Sequence, residues 1–495
     1  MMICTPFRPT LIALFTFLFF SSFFSPYTYA EPVTTDWAAA ARQDMQFAID
    51  AIRTRHAGSV SGKIDVLDAL ESGARAGVLD ADKVQTQQDY RRAMARFING
   101  FGDPHTGINL HLKTLGWTGV VLDRIDGQYR VVWSEPNWPN ALPPKGAIVQ
   151  SCDGVWIGTY LNAEVAPFIN HSEEYPTSPS EFARQTMFDM GLGWTPKQCT
   201  FTLADGSRKS YDLPSQAVPG GVSEERIGEV QKHYRAAAKP VGLYALAADK
   251  RWVGMPNFDG RVSGAAYEQL YSQLAKLSKS GWVIFDLRGN GGGDSALGNR
   301  ALKALYGDAY GEKLGDNAAY AKYVTADQAT IDLYKKYSSA PEFATSREGL
   351  LKDVEKLEKA RTAGDKMALF DGTTETEALA LAAQIRTRPS GPRIAAVIDR
   401  RCFSSCMNFL QQIESMSDTV VLGEPTVGYS PYGEINRFNL PSGNGWIQIP
   451  SAVYSTFQAP REPFMPTIAY SGNVADDEAL MKWVNATLTP LKSHR

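Results

Sequence analysis

The chain has 495 residues, more than one hydrophobic core usually serves, so two or three domains are expected. Hydrophobic residues make up 44% and charged residues 21%, with a formal charge of -3. That balance is that of an ordinary folded protein, and with no long Lys/Arg run it excludes a nucleic-acid binder.

The first thirty residues stand apart. Arg8 precedes the apolar run from Leu11 to Phe20, and small residues follow up to Thr28-Tyr29-Ala30. This pattern predicts a secretory signal, residues 1–30, cut after Ala30. The run is short for a membrane span, so no stable span is expected after cleavage. The chain is therefore expected to be exported, to the periplasm or the exterior. Four cysteines then remain: Cys152, Cys199, Cys402 and Cys406. An even count in an oxidising compartment favours disulfides. Three pairings are open. The economical one joins Cys152 to Cys199 and Cys402 to Cys406; free thiols and, more weakly, a zinc site are the rivals.

From residue 31 to 114 the pattern is helical. Met45, Ala48, Ile49 and Ile52 recur on one helix face, as do Tyr90, Met94 and Phe97. From 115 to 215 short β-rich runs alternate with turn signals, among them Gly119-Val120-Val121-Leu122 and Phe201-Thr202-Leu203. This predicts a small β-rich binding module. From 216 to 495 strands and helices alternate. The runs Trp282-Val283-Ile284-Phe285 and Ile394-Ala395-Ala396-Val397-Ile398 suit strands buried on both faces. A polar, helix-favouring insertion at about 318–371 reads as a lid or an outer helical pair. The last helix is expected to start near Asp476.

Two stretches can carry chemistry. The first, Asp286-Leu287-Arg288-Gly289-Asn290-Gly291-Gly292-Gly293-Asp294, follows a buried strand. Consecutive glycines let backbone N–H groups converge on a ligand or a developing oxyanion. No Lys-Ser or Lys-Thr follows, and no third spaced glycine, so the nucleotide-binding patterns fail. The second, Arg401-Cys402-Phe403-Ser404-Ser405-Cys406, lies between a strand and a helix-like run. A serine at such a turn exposes its oxygen beside unpaired helix N–H groups. Serine is also common as a helix cap, which is the plain alternative for Ser404 or Ser405.

Together these stretches resemble the C-terminal processing (tail-specific) peptidase family, and within it the tricorn-core-like branch. The resemblance rests on Asp286–Gly293, the Ser404 turn, Gly423-Glu424-Pro425-Thr426-Val427-Gly428 and Leu440-Pro441-Ser442-Gly443, in that order, with Trp252 to Phe258 as an opening strand. It implies an α/β protein: a helical N-terminal region, a PDZ-like β-rich domain and a crotonase-like α/β peptidase core. It implies a serine endopeptidase acting on peptides or unfolded protein segments through an acyl-enzyme on Ser404, with no cofactor or metal. Ser405, Gly291 and Gly292 would form the oxyanion hole. Many members use a lysine after the G-x-x-T-x-G stretch; Tyr429 stands there instead. The base is then expected to be His105, in Gly102-Asp103-Pro104-His105-Thr106-Gly107. His111 is its nearest rival, while His56 and His494 read as loop or tail residues, and His171 and His233 fall in polar stretches. Glu462 would complete the relay, through a bridging hydroxyl such as Thr106. Pro104 stands where the tricorn pattern has a serine. A non-catalytic peptide-binding protein, an esterase-type acyl hydrolase and a Cys402 nucleophile are the alternatives. Neither substrate identity nor oligomeric state is legible.

Overall fold

The computed structural model describes residues 36–169, 175–277, 281–316, 321–372, 375–387, 389–428, 430–455 and 463–489. The expected leader, His171, Tyr429, Glu462 and His494 lie outside them. Among the described residues no helix is long and apolar enough to cross a membrane. The architecture is mixed α/β, as expected.

The helical face read from the sequence is formed by Trp37–Arg55 and Gln87–Asn99, with Ile64–Ala81 beside them. Met45, Ala48, Ile52, Tyr90, Met94 and Phe97 are all buried. Thr86 and Asp89 form a reciprocal capping box that starts the Gln87 helix. These helices pack in one cluster with Leu440, Ile447 and Ile449, more than three hundred residues downstream. Asp44 makes the join specific. Its buried carboxylate accepts from Tyr90 Oη at 2.6 Å and from the Ser442 N–H at 3.0 Å. The Leu440-Pro441-Ser442-Gly443 turn is thus a docking point for the first helix.

The middle segment holds a six-stranded antiparallel sheet, with Val120–Ile125, Gln128–Ser134, Ile148–Cys152, Gln198–Thr202 and Arg208–Asp212 in spatial order and Val155–Trp156 pairing Ile148–Cys152. A helix, Ser178–Thr186, covers it. Cys152 and Cys199 face each other on neighbouring strands and are disulfide-bonded.

The core sheet has six strands in the order Gly242–Ala247, Lys250–Gly254, Trp282–Asp286, Arg393–Ile398, Val420–Gly423, Ile468–Ala469. All pairs after the first are parallel. Side chains alternate between its faces. Val283, Phe285, Ile394, Ala396 and Ile398 meet Tyr267, Leu302 and Phe409 on one side. Trp282, Ile284, Ala395 and Val397 meet Leu480 and Val484 of the last helix, Asp477–Thr487, on the other. Burial on both faces is why these strands read as unbroken apolar runs.

The 318–371 stretch contains the helices Gln328–Ser339 and Arg347–Ala363. They are bracketed by two strands the sequence did not signal, Ala321–Thr325 and Met367–Asp371, which extend a sheet through Trp446–Ser455. The stretch is therefore tied into the body by a hydrogen-bonded ladder and by a shared cluster of Val324, Tyr334, Leu357 and Ala452.

Candidate active site

Trp282–Asp286 and Arg393–Ile398 are adjacent parallel strands, so the turns leaving their C-terminal ends must lie side by side. Ligands bind at such ends in open α/β sheets. The first turn is fixed by its own motif residues. Arg288, fully buried, donates from Nε and Nη2 to Asp286 at 2.8 and 2.7 Å, and from Nη1 to the Val474 carbonyl at 2.6 Å. Asn290 Nδ2 donates to the Met255 carbonyl at 2.9 Å. The second turn is then stapled to the first. The Phe403 N–H donates to the Asn290 carbonyl at 3.1 Å, and Ser405 Oγ to the Gly293 carbonyl at 2.6 Å. Asp399 accepts from the N–H groups of Gly289 and Arg401 at 2.9 and 3.1 Å, one from each turn. Burial pushes its carboxyl up to about 6.

Ser404 sits at φ 55°, ψ -125°, on the last residue before the helix Ser405–Glu414. A non-glycine residue there costs on the order of 1–3 kcal/mol and persists only where its surroundings impose it. The Cys402–Cys406 disulfide brackets it, and its carbonyl accepts from the Met407 N–H at 2.8 Å. Its side chain makes no capping hydrogen bond, which removes the plain alternative of a helix cap. Ser405, the other cap candidate, points its hydroxyl to Gly293 and accepts from Ser295 Oγ at 2.9 Å. The Ser405 N–H lies in the first turn of the helix, where N–H groups lack intrahelical partners and carry partial positive charge.

Gly292, at φ 95°, lies against this turn. A Cβ there would come within 2.8 Å of Ser404 Cβ and 2.9 Å of the Ser405 nitrogen. Its N–H, expected as an oxyanion donor, donates to Asn290 Oδ1 at 2.9 Å. Gly292 lets the two turns touch. Gly291 is exposed, and a Cβ there would meet open space.

His105 comes from the loop between the Gln87–Asn99 helix and the strand Gly107–Asn109. That strand pairs with Trp446–Ser455, Gly107 opposite Gln448, and Gln448 Nε2 donates to the His105 carbonyl at 3.2 Å. The sheet thereby delivers the imidazole to the Ser404 turn. The ring packs on Phe403 with centroids 4.7 Å apart, one residue from Ser404. Burial lowers the His105 pKa, opposed by Asp103, a hydrogen bond with the Tyr432 backbone and Glu434. Its Nδ1 is buried and has no hydrogen-bond partner among the described residues.

Asp103 organises this loop. Its carboxylate accepts from Thr106 Oγ1 at 2.7 Å, Ser430 Oγ at 2.6 Å and the His105 N–H at 3.1 Å, and lies 3.3 Å from His56 Nε2. Burial alone would raise its pKa; His56, His105 and Ser430 more than offset that and hold it low. Thr106, expected as a bridge toward Glu462, donates its hydroxyl to Asp103, and Glu462 lies outside the described residues. One reading changes here. His56, expected in a loop, is 1% exposed, and its Nδ1 accepts from the Gly58 N–H at 3.0 Å. The clue in the sequence was position: His56 directly follows one helix and caps the next. Of the other histidines, His111 is exposed and His233 stacks on Trp133. Cys402 and Cys406 are bonded, so Cys402 is not a free nucleophile. Among the described residues no His/Cys/Asp/Glu group could hold a metal ion.

A cavity of about 460 Å³ opens beside the site, lined by Pro104 and Phe403 together with Arg184, Arg235, Arg400 and Arg401. No sequence signal marked it, because its walls come from the middle segment and the core together.

No protein-family model matches the chain. No curated protein matches it in sequence. Its structure is similar to mature CPAF complexed with lactacystin, with TM-score 0.63 and 12% identity over 91% of this chain and 98% of that one. Mature CPAF alone gives TM-score 0.62 and 11% identity over 92% and 99%. The photosystem II D1 C-terminal processing protease aligns over 91% and 97% at 12% identity, with TM-score 0.35. The resemblance read from the motifs is therefore matched at the level of fold.

Proposed function

We propose that the chain is a serine endopeptidase that cleaves unstructured segments or tails of proteins through an acyl-enzyme on Ser404. The observation that carries the reading is the strained, uncapped Ser404 turn with the His105 ring against Phe403. Ser404 Oγ attacks the scissile carbonyl carbon, and its proton passes to His105. The oxyanion is held by the Ser405 N–H and the glycine turn at Gly291, at the positive end of the helix. His105 then protonates the leaving amine, and water takes the same route to release the acid. Burial keeps the imidazole neutral, the form a base needs. The unpartnered Nδ1 of His105 is the nitrogen left to receive the Ser404 proton, and Glu462 is proposed to stabilise the resulting imidazolium through the charge network around the ring.

The antiparallel middle sheet is proposed to be the PDZ-like module, receiving substrate by strand addition, and the parallel sheet with its helices the crotonase-like core. Export to the periplasm or exterior follows from the leader pattern and is supported by the two disulfides.

The test is Ser404→Ala. Cleavage of an unstructured peptide and labelling by a serine-reactive probe should both vanish, with the fold unchanged by circular dichroism. Turnover retained by that variant overturns the assignment. Matched ester and amide substrates compared by kcat/KM separate a peptidase from an esterase.

A further inference from the structure

The cavity beside the nucleophile turn has a chemistry of its own. Arg400 is 8% exposed and pairs with Glu424 through Nε at 3.2 Å and Nη2 at 3.0 Å. Its Nη1 is buried without a hydrogen-bond partner, 3.5 Å from Asp123 and 3.8 Å from Glu181. Arg184, 10% exposed, donates from Nη2 to Asp123 at 2.6 Å, while its Nε is likewise buried and unpartnered. Those two N–H groups are shielded from solvent, so the inner arginines act on a ligand by charge, and direct contact falls to the outer guanidinium groups of the wall. The wall as a whole is in slight positive excess, four arginines against three carboxylates. Glu181 is the only carboxylate among the lining residues, and Asp123 and Glu424 sit behind the two inner arginines. Arg235 and Arg401 add two further guanidinium groups to the wall.

Position says what such a ligand belongs to. Pro104 adjoins His105 and Phe403 adjoins Ser404, and both line the same cavity. A peptide with its scissile bond at Ser404 therefore presents a neighbouring side chain to the arginines. We infer that this cavity is a specificity subsite for a carboxylate, the side chain of an Asp or Glu close to the cleaved bond. The inference rests on the Ser404 reading for its orientation, but its test needs no turnover.

Fluorescent, C-terminally amidated unstructured peptides, identical except for Glu, Gln or Lys at each position in turn, are titrated into the full chain carrying Ser404→Ala. At one position Glu should bind on the order of ten-fold tighter than Gln, and Lys weaker than both, with the gap narrowing at high salt. Arg401→Glu, at an exposed residue, and Arg235→Glu should each shrink the Glu-over-Gln ratio and raise Lys binding. A third arm uses an uncharged peptide with a free C-terminus, which should bind no better than its amide. Equal binding of Glu and Gln at every position overturns the inference. So does a preference carried wholly by the free C-terminus, or a ratio untouched by both charge reversals. If Ser404→Ala leaves turnover intact but Glu selectivity is present, the catalytic assignment falls while the carboxylate site stands.

Discussion

Replacing Ser404 by glycine separates chemistry from strain. The residue sits where an L side chain is disfavoured and glycine is at ease. Ser404→Gly should therefore lose activity yet gain about 1 kcal/mol of stability in a chemical denaturation, against the usual loss when a residue becomes glycine. A second residue-scale expectation concerns pH. Burial places the His105 pKa below the ordinary 6.5, so the imidazole stays neutral further into acid. The acid limb of kcat/KM should then have its midpoint below 6.5, in a profile measured on an uncharged peptide. The linkage has a definite sign. The unfolded chain takes up the His105 proton first, so this residue makes folding less favourable as pH falls below 6.5. Asp103, with its pKa held low, acts in the same direction at still lower pH.

Among the elements, the two disulfides make a contrast. By loop length alone, removing Cys152–Cys199 should cost about 4 kcal/mol and removing Cys402–Cys406 about 2 kcal/mol. Activity should respond in the opposite order, because only the second bond brackets Ser404. Paired Cys→Ala variants, followed by denaturation midpoint and kcat, check both halves. Arg288 provides a further case. It neutralises Asp286 inside the protein and ties the glycine turn to the last helix through Asp477 and to the segment before that helix through Val474. Arg288→Met strands a buried carboxylate and should lower stability by about 3–5 kcal/mol, visible in the urea midpoint.

At the scale of the molecule, the proposed nucleophile and its proposed base belong to different parts of the chain. The core carries Ser404, whereas His105 follows the helical region. They are held together by the Gly107–Gln448 ladder, the Asp44–Ser442 contact and the shared cluster of Ala48, Ile52, Ile447 and Ile449. Denaturant-dependent hydrogen exchange should therefore find amides of Ala48–Ile52 and Ile447–Ile449 opening as one unit. Independent opening of the helices would separate the imidazole from the serine without unfolding the core.

Local pattern was enough to read the buried core strands, the helix faces around Met45 and Tyr90, and the positions of the glycine turn and the Ser404 turn, because each is written in consecutive residues. The partners of those turns were not legible. Nothing local links His56 to Asp103, Asp44 to Ser442 or Arg400 to Asp123, since these pairs form only when remote elements dock. The same reason hid the two strands at Ala321–Thr325 and Met367–Asp371, whose pairing lies in the distant Trp446–Ser455. Sequence alone thus determined which residue types could do chemistry and which strand ends would carry them. Tertiary structure decided the backbone strain at Ser404, the bond that occupies the Gly292 N–H, and the arginine-lined cavity, because each depends on hydrogen-bond and charge satisfaction between segments far apart in the chain.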